Sequence, residues 1–194
     1  MKEIIFIFII FIAPIDDSVF FFAYMGVASA LVFANLGAAY GTAKSGVGIS
    51  SLSVIDSSKV FKALIPIIMS GILGIYGVIV AVIMGGKVKG TAAGTALAGR
   101  DAFRYLGAGL ACGLSALAAG LAIGVAGDAG VRAYAQTDGI FVGMILIMIF
   151  AEAIGLYGLI VAIIMIFWVT LFTIVITFNI LKNHSFFLYI CYII

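Results

Sequence analysis

The sequence predicts an all-α membrane protein: a four-transmembrane-helix bundle built from a duplicated helical hairpin, with either an extended or a fifth helix at its C-terminal end. Three observations predict it, namely an apolar composition, four long stretches of apolar residues, and an internal repeat. Of the 194 residues, 65% are hydrophobic and only 9% are charged, and the mean hydropathy is +1.37. Soluble domains carry roughly 25% charged residues. The apolar side chains must therefore face lipid.

The remaining composition excludes several classes of function. A formal net charge of +2 is too small to indicate a nucleic-acid partner. Cys112 lies in an apolar segment and Cys191 in the tail, so no disulfide framework, metal site or cofactor is expected. His184, the one histidine, is interpreted as a solvated tail residue. The 24 glycines and 2 prolines favour helices packed backbone to backbone in lipid.

Four stretches are long enough to cross the hydrocarbon core, which takes about 20 helical residues. They are residues 18–43, 63–86, 105–127 and 139–181. Glu152 is the single ionisable carboxylate among them. The last stretch is about twice the necessary length, so it either extends beyond the membrane or breaks into two helices. Nearly all other charges fall in the predicted connecting segments, 44–62, 87–104 and 128–138.

The two ends of the chain differ from its middle. Residues 1–12 form a short apolar run, which is either an extension of the first helix or the core of a signal sequence. No small-residue cleavage site follows, which favours the extension. After Met165 glycine and alanine give way to Phe, Ile, Thr and Asn. No function is assigned to residues 166–194.

The middle of the chain is a duplication with an offset of 81 residues. The segment SGILGIYGVIVAVIM, from Ser70, aligns with AEAIGLYGLIVAIIM, from Ala151, and Tyr24 and Gly26 align upstream with Tyr105 and Gly107. The predicted units are a first helical hairpin at 13–86 and a second at 87–165, both running in the same direction. Parallel hairpin repeats suit a ring of many copies.

One position breaks the repeat, because Glu152 in the second hairpin corresponds to Gly71 in the first. An ionisable residue inside a membrane is costly when charged and usually has a function. The alternative is a buried glutamic acid that only hydrogen-bonds a neighbouring helix. No Arg, Lys or His lies in the other spans, so a charged partner must come from another chain.

Two helices carry small residues along one face, as the crowded inner wall of a ring would require. Ordinary tight packing within a four-helix bundle is the alternative. The first helix contributes Gly26, Ala30, Ala34, Gly37 and Gly41, and the third contributes Gly109, Gly113, Ala116, Gly120, Gly124 and Gly127. Narrower sets on the second and fourth helices, Ser70, Gly74, Gly77, Ala81 and Ala151, Gly155, Gly158, Ala162, are expected to pack against these inner helices.

Few polar groups lie near Glu152. Tyr76 and Tyr157 lie a turn or more beyond position 152 and its repeat equivalent, and they either lend a hydroxyl to the site or serve as packing aromatics. Ser115 is the polar mid-span residue of the third helix. A bare cation needs several oxygen ligands, so protons are favoured over sodium as the transported ion.

Two motifs, ANLGAAYGTAKSGVGIS in the first loop at 34–50 and FAEAIGLYGLIVAI at 150–163, resemble the c subunit, or 16 kDa proteolipid, of eukaryotic vacuolar-type proton ATPases. The resemblance covers residues 13–165. It implies a non-catalytic rotor subunit of the membrane V0 sector, in the vacuolar or endomembrane system, with Glu152 as the proton carrier and Gly71 where the first hairpin has lost its own. It also implies a ring of c-type subunits, an a subunit with an arginine counter-charge, a d subunit, and the central stalk of the V1 sector, the sector that hydrolyses ATP.

The sequence admits several alternatives. An additional N-terminal helix would resemble the c″ variant, but the position of Glu152 argues for c. An excess of Lys and Arg at 87–104 predicts a cytosolic middle loop, whereas the family places that loop on the luminal side. A stand-alone transporter or channel would show several polar mid-membrane residues, and no Walker-type phosphate loop is present. A purely structural proteolipid is the third class.

Overall fold

A computed structural model describes residues 17–92 and 99–193, with side chains from 18–88 and 99–167. Four long helices account for most of this part of the chain: α1 Asp17–Ile55, α2 Ile65–Ala92, α3 Gly99–Gln136 and α4 Ile140–Ile193. A 3-10 turn, Ser57–Lys59, and a one-turn helix, Val60–Ala63, connect α1 to α2. No strand occurs in the described ranges. The predicted all-α fold class is confirmed, while the apolar run at 1–12 lies outside the described residues.

All four helices are long and apolar enough to cross a membrane. The first and third helices run far past the charges that were predicted to mark the loop boundaries. At about 1.5 Å per residue, the 39 residues of α1 span roughly 58 Å, against about 30 Å of hydrocarbon. The first loop predicted at 34–50 is therefore wrong, because all of it is helical.

Charge does not end α1 or α3 because the charged side chains find partners between and within the helices. Lys44 of α1 lies 3.1 Å from Asp128 of α3. Asp128 also accepts a bond from Arg132, one turn further along α3, at 2.7 Å. The predicted connecting segments 44–62 and 128–138 are consequently helical over most of their length.

The fourth helix is a single unbroken element of 54 residues, so the extended-helix alternative is the one observed. Two basic side chains hydrogen-bond its backbone where the composition changes. Arg104 donates to the Met165 carbonyl at 2.6 Å, and Lys87 donates to the Ile166 carbonyl at 3.2 Å. These contacts join α4 to the end of the bundle that carries the α2–α3 connection.

The small-residue faces of α1 and α3 pack against each other, backbone to backbone. A Cβ atom added at Gly120 would come within 3.0 Å of the Gly37 backbone, and one added at Gly113 would lie 2.6 Å from the Ser29 carbonyl oxygen. A Cβ atom added at Gly26 would likewise clash with the Tyr105 carbonyl. Only glycine permits this approach. Within one chain, these small residues therefore form the contact between the two central helices, and their role as a ring lining stays a prediction.

The second and fourth helices pack outside this central pair. Gly77 of α2 abuts Ala30 and Ala34 of α1, whereas Gly155 of α4 abuts Leu73 and Ala119. Each hairpin therefore places one helix at the centre and one outside it. The outer helices leave large apolar side chains on the surface; on α2 and α4 they include Ile68, Ile75, Val82, Leu146, Ile147, Phe150 and Ile160.

A polar clamp joins the two hairpins at the other end of the bundle. Lys59 pairs with Asp138 at 2.7 Å and with Asp56 at 3.6 Å, and its ammonium lies 5.3 Å from the centre of the Tyr134 ring. Asp56 caps the 3-10 turn by accepting bonds from the Ser58 hydroxyl and amide. These two bonds hold the pKa of the Asp56 carboxyl below its usual value. The clamp fixes the α1–α2 connection to the α3–α4 turn.

Candidate functional site

Packing of α4 against α3 determines where Glu152 points. Ala151 and Gly155 are buried on the side of α4 that faces the bundle. Phe150 on the opposite side is 67% exposed, and Ile154 is 45% exposed. Glu152 lies between these two sides and is half-buried. Its carboxyl therefore sits on the flank of α4, next to the surface that faces lipid.

The first hairpin supplies the hydrogen-bond partner of this carboxyl. The Tyr76 hydroxyl of α2 donates to Oε1 of Glu152 at 3.1 Å. Tyr76 is half-buried and also packs against the apolar side chains of the bundle. Of the two roles left open for Tyr76, lending a hydroxyl and packing, the structure combines both. A phenol can donate a hydrogen bond to a carboxylate and can accept one from the hydroxyl of a carboxylic acid.

The repeat equivalents of this pair are both open to the surface. Gly71, at the position of Glu152, is exposed, and a Cβ added there would meet no atom within 4 Å. Tyr157, at the position of Tyr76, is 65% exposed. The chain thus contains one complete tyrosine–carboxyl pair, Tyr76 with Glu152. The equivalent positions, Tyr157 and Gly71, both lie on its outer surface.

Ser115 does not lie beside the carboxyl, contrary to the sequence-based prediction. Its hydroxyl donates to the Cys112 carbonyl of its own helix at 3.0 Å, and its side chain contacts Gly158 of α4. Gly158 is six residues beyond Glu152, or about 9 Å along the helix. The face of α3 that carries Ser115 meets α4 nearly two turns away from the site.

The site offers few ligands for a metal ion. In the described part of the chain no group of three or more His, Cys, Asp or Glu side chains lies together. Beside the Glu152 carboxyl the recorded polar partner is one phenol, whereas Ca²⁺-type sites take 6–8 oxygen ligands. The donor set suits a proton better than a bare cation.

One polar residue was missed by the reasoning from sequence. Asn35 lies in the middle of α1, is exposed, and makes no hydrogen bond within the described residues. Its Oδ1 atom lies close to Gly74 of α2. An amide within an otherwise apolar membrane span indicates a contact between helices. That signal was present in the sequence, inside the motif at 34–50.

A duplicated hairpin of membrane-spanning helices with a single intramembrane carboxyl defines the class as a proteolipid. The family model that describes the C subunit of ATP synthase matches the chain twice, at residues 25–84 and 106–165. Each match covers one hairpin. The predicted domain limits, 13–86 and 87–165, remain predictions.

Curated relatives narrow the class further. The chain is 58% identical over 145 residues to the 16 kDa proteolipid c subunit of the V-type proton ATPase of Ascaris suum, covering 75% of this chain and 89% of that protein. It is 61% identical over 146 residues to the 16 kDa proteolipid subunit of the Chrysotila carterae enzyme, covering 75% and 89%. Against the 16 kDa proteolipid of Homo sapiens it is 54% identical over 145 residues, covering 75% and 90%.

The chain therefore belongs to the family of V-type proton ATPase 16 kDa proteolipids, the c subunits. The resemblance inferred from the two motifs is confirmed. So is the integral, multi-pass membrane location, because the fold provides four helices able to span a bilayer.

Proposed function

We propose that this chain is a proton-carrying rotor subunit of the membrane V0 sector of a V-type ATPase, and that Glu152 carries the proton. Reversible protonation of Glu152 is coupled to rotation of a ring of such subunits, which drives acidification of an organelle. The chain itself hydrolyses no ATP; that reaction belongs to the V1 sector. An a subunit with an arginine counter-charge, a d subunit and the V1 central stalk complete the proposed set of partners.

The observation that carries the proposal is the placement of Glu152. Its carboxyl lies half-buried on the flank of α4, beside apolar side chains that face outward, and it is held by one neutral hydroxyl. In the described residues no cation pairs with it. A carboxyl without a fixed counter-charge is free to be neutral in one environment and ionised in another.

The proton cycle follows from these two environments. Where the flank of α4 faces lipid, the neutral acid is favoured because hydrocarbon cannot solvate a carboxylate. There the Tyr76 hydroxyl fixes one carboxyl oxygen and keeps the side chain against the bundle. Where the same flank faces an aqueous channel with an arginine beside it, the opposite charge favours the carboxylate. Rotation moves Glu152 between the two and so loads and unloads one proton.

The surface position makes this exchange possible. A carboxyl buried in the centre of the bundle could not meet a counter-charge on another protein. Ala151 and Gly155 pack toward the bundle instead, and Glu152 lies next to the exposed side of α4. The alternative of a permanently enclosed, purely structural glutamic acid has no support in this arrangement.

A hydrophobic carbodiimide tests the proposal in vesicles that contain the assembled ATPase. Such reagents enter lipid and react with a protonated carboxyl. Modification is expected at Glu152, found by peptide mass spectrometry, with loss of ATP-driven acidification in proportion to labelling. Labelling of Glu152 that leaves acidification intact would contradict the proposal.

The variant Glu152→Asp provides the matched control. Aspartate titrates in the same way but its carboxyl is set back by one methylene, so it should retain part of the acidification and remain sensitive to carbodiimide. Complete resistance of an active Glu152→Asp enzyme would show that protons pass elsewhere.

A further inference from the structure

A cavity of about 400 Å³ opens beside the polar clamp that joins the two hairpins. Its lining comes from both hairpins and consists of Ser58, Lys59, Lys62, Tyr134, Asp138 and Phe141. Glu152 is not among these residues, so the cavity is separate from the site already described.

The cavity lies where the two outer helices enter the membrane. Lys62 is the last charged residue before the charge-free stretch 63–86 of α2, and Asp138 is the last before the apolar stretch that begins at 139. Aromatic and lysine side chains concentrate at this level of membrane proteins, beside the lipid headgroups. Basic pockets between membrane helices bind such headgroups. The position of the cavity therefore favours a lipid over a soluble ligand.

Lys62 supplies a cation that no carboxylate neutralises within the described residues. Its side chain is exposed. Lys59, by contrast, is held between Asp138 at 2.7 Å and Asp56 at 3.6 Å. The ammonium of Lys62 is therefore available to a phosphate group that enters the cavity.

Tyr134 supplies a hydroxyl without a partner. Its side chain is only 4% exposed, and its ring contacts the Lys59 ammonium at 5.3 Å and the Phe141 ring at 5.1 Å. The hydroxyl itself makes no hydrogen bond within the described residues. Among fully enclosed side-chain oxygens of those residues, only Ser45 Oγ lacks a partner. The Tyr134 hydroxyl is thus not enclosed, and it opens into the cavity that this residue lines.

A carboxylate oxygen completes the lining. Asp138 uses Oδ1 to bind Lys59, and its side chain is 78% exposed, so Oδ2 is open to a ligand. The charges of Lys59, Lys62, Asp56 and Asp138 sum to zero. A ligand with one negative and one positive group matches this arrangement, whereas a ligand with a net charge would leave that charge uncompensated.

We propose that this cavity binds the phosphoethanolamine headgroup of a membrane phospholipid, with its phosphate on Lys62 and its ammonium on Asp138. The Tyr134 hydroxyl donates to a phosphate oxygen. A primary ammonium can donate hydrogen bonds to a carboxylate, whereas the trimethylated ammonium of choline has no proton to donate. Because the proton cycle uses none of these residues, the inference is independent of the proposed rotor function.

Exposed apolar side chains lie on the membrane side of the cavity, where the acyl chains of the lipid would continue. Val142 and Leu146 are four residues apart on one face of α4, and Ile68 is exposed on α2. Contact with these side chains would hold the acyl chains beside the headgroup. Free phosphoethanolamine lacks acyl chains and should therefore compete poorly.

Photolabelling tests the proposal in phosphatidylcholine vesicles that contain the assembled protein. A small fraction of the lipid is a phosphatidylethanolamine or phosphatidylcholine probe with a diazirine at the start of one acyl chain. Peptide mass spectrometry should find roughly fivefold more labelling of segments 58–62 and 134–142 by the ethanolamine probe. Ile75, which α2 exposes to lipid, should be labelled equally by both probes and serves as the internal standard.

Two variants locate the headgroup. Lys62→Gln should reduce labelling of the cavity by the ethanolamine probe to the level of the choline probe. Tyr134→Phe keeps the ring contacts and should lower that labelling by a smaller factor, roughly threefold. Arg100→Gln is the matched control, because Arg100 is also exposed and forms no ion pair within the described residues; its labelling should equal that of the unmodified protein.

Equal labelling of the cavity by the two probes, or an ethanolamine preference that survives Lys62→Gln, would overturn the proposal. So would stronger labelling by a phosphatidylglycerol probe, or protection from every probe by a bound protein. Displacement of the ethanolamine probe by free phosphoethanolamine would overturn the assignment to a lipid. Each of these results leaves the rotor function standing, since acidification of the same vesicles measures that function separately.

Discussion

The two hairpins of this chain share a fold and differ in chemistry. Both place a helix rich in small residues at the centre and an apolar helix outside it. Only the second has a carboxyl within its membrane-spanning segments, because Gly71 stands where the second hairpin has Glu152. The first hairpin nevertheless takes part in the site, since its Tyr76 donates to that carboxyl. Duplication preserved the arrangement of one central and one outer helix in both halves and divided the functional groups between them.

The packing of the two hairpins also differs in a systematic way. Glycine lines the contact between α1 and α3 within the chain, whereas the repeat equivalents of those glycines are mostly alanine. The difference predicts that an added methyl group is more disruptive at a glycine of this contact than at a glycine that touches no other helix.

The largest effect is expected at the internal contact. In Gly120→Ala the added methyl group would lie within 3.0 Å of the Gly37 backbone, which neither helix can avoid without moving. Overpacking of this kind costs about 1–3 kcal/mol, so the amount of assembled complex in membranes should fall several-fold on quantitative immunoblots.

Gly143→Ala is the matched control for that variant. Gly143 lies in α4, and a Cβ there would meet no atom within 4 Å, while the gain in helix propensity is the same. Normal assembly of both variants would show that the α1–α3 contact is looser than described.

A transplanted carboxyl should produce the next largest effect. Glu152→Gln/Gly71→Glu moves the acid from the second hairpin to the first, where it has space. Acidification should become measurable in this double variant, whereas Glu152→Gln alone should show none. Glu152→Gln/Gly143→Glu, with the acid at another exposed glycine, should show no rise. If both double variants assembled normally and neither acidified the lumen, a carboxyl in the first hairpin could not replace the one in the second.

The two tyrosines should differ by a smaller factor. Tyr76→Phe removes the hydrogen bond to Glu152, worth about 1 kcal/mol, so the carboxyl leaves the bundle more often. Carbodiimide should then label Glu152 roughly fivefold faster, measured by mass spectrometry over a time course. Tyr157→Phe removes a hydroxyl that does not touch Glu152 and should leave the rate unchanged. Equal rates in both variants would rule out a positioning role for Tyr76.

The smallest effect is expected at Asn35. Hydrogen bonds between membrane helices contribute about 0.6 kcal/mol, so Asn35→Ala should release roughly threefold more free protein when purified rings are heated in mild detergent. Ser50→Ala removes a hydroxyl that bonds only to Gly46 of its own helix and should behave as the unmodified protein. A ring unaffected by Asn35→Ala would leave the amide without a role between copies.

Much of the fold could be predicted because hydrocarbon thickness sets a minimum length for an apolar helix. The positions of the helix ends could not be predicted in this way. The charge-free stretch 18–43 reflects the thickness of the hydrocarbon layer, whereas the helix continues beyond that stretch. Lys44 and Asp128 continue α1 and α3 because they pair across the helices. Such a pairing depends on the rotation of two helices about their axes, which the sequence pattern leaves open.

The site was predictable to a different degree at each residue. Glu152 stands out because it breaks the repeat, and that requires no knowledge of side-chain direction. Identifying Tyr76 as the donor required knowing that α2 approaches α4. Ser115 was placed wrongly because its face of α3 contacts α4 at Gly158. Asn35 was predictable as an isolated amide in a membrane span, but its approach to Gly74 depends on how α2 packs against α1.

ATP-driven acidification by the variant Glu152→Gln tests the central claim most directly. Glutamine preserves size and hydrogen bonding but cannot bind and release a proton. In sealed vesicles with equal amounts of assembled enzyme, a pH-sensitive dye should report no proton uptake from Glu152→Gln, while the unmodified protein acidifies the lumen. Acidification by Glu152→Gln at a rate near that of the unmodified protein would contradict the account.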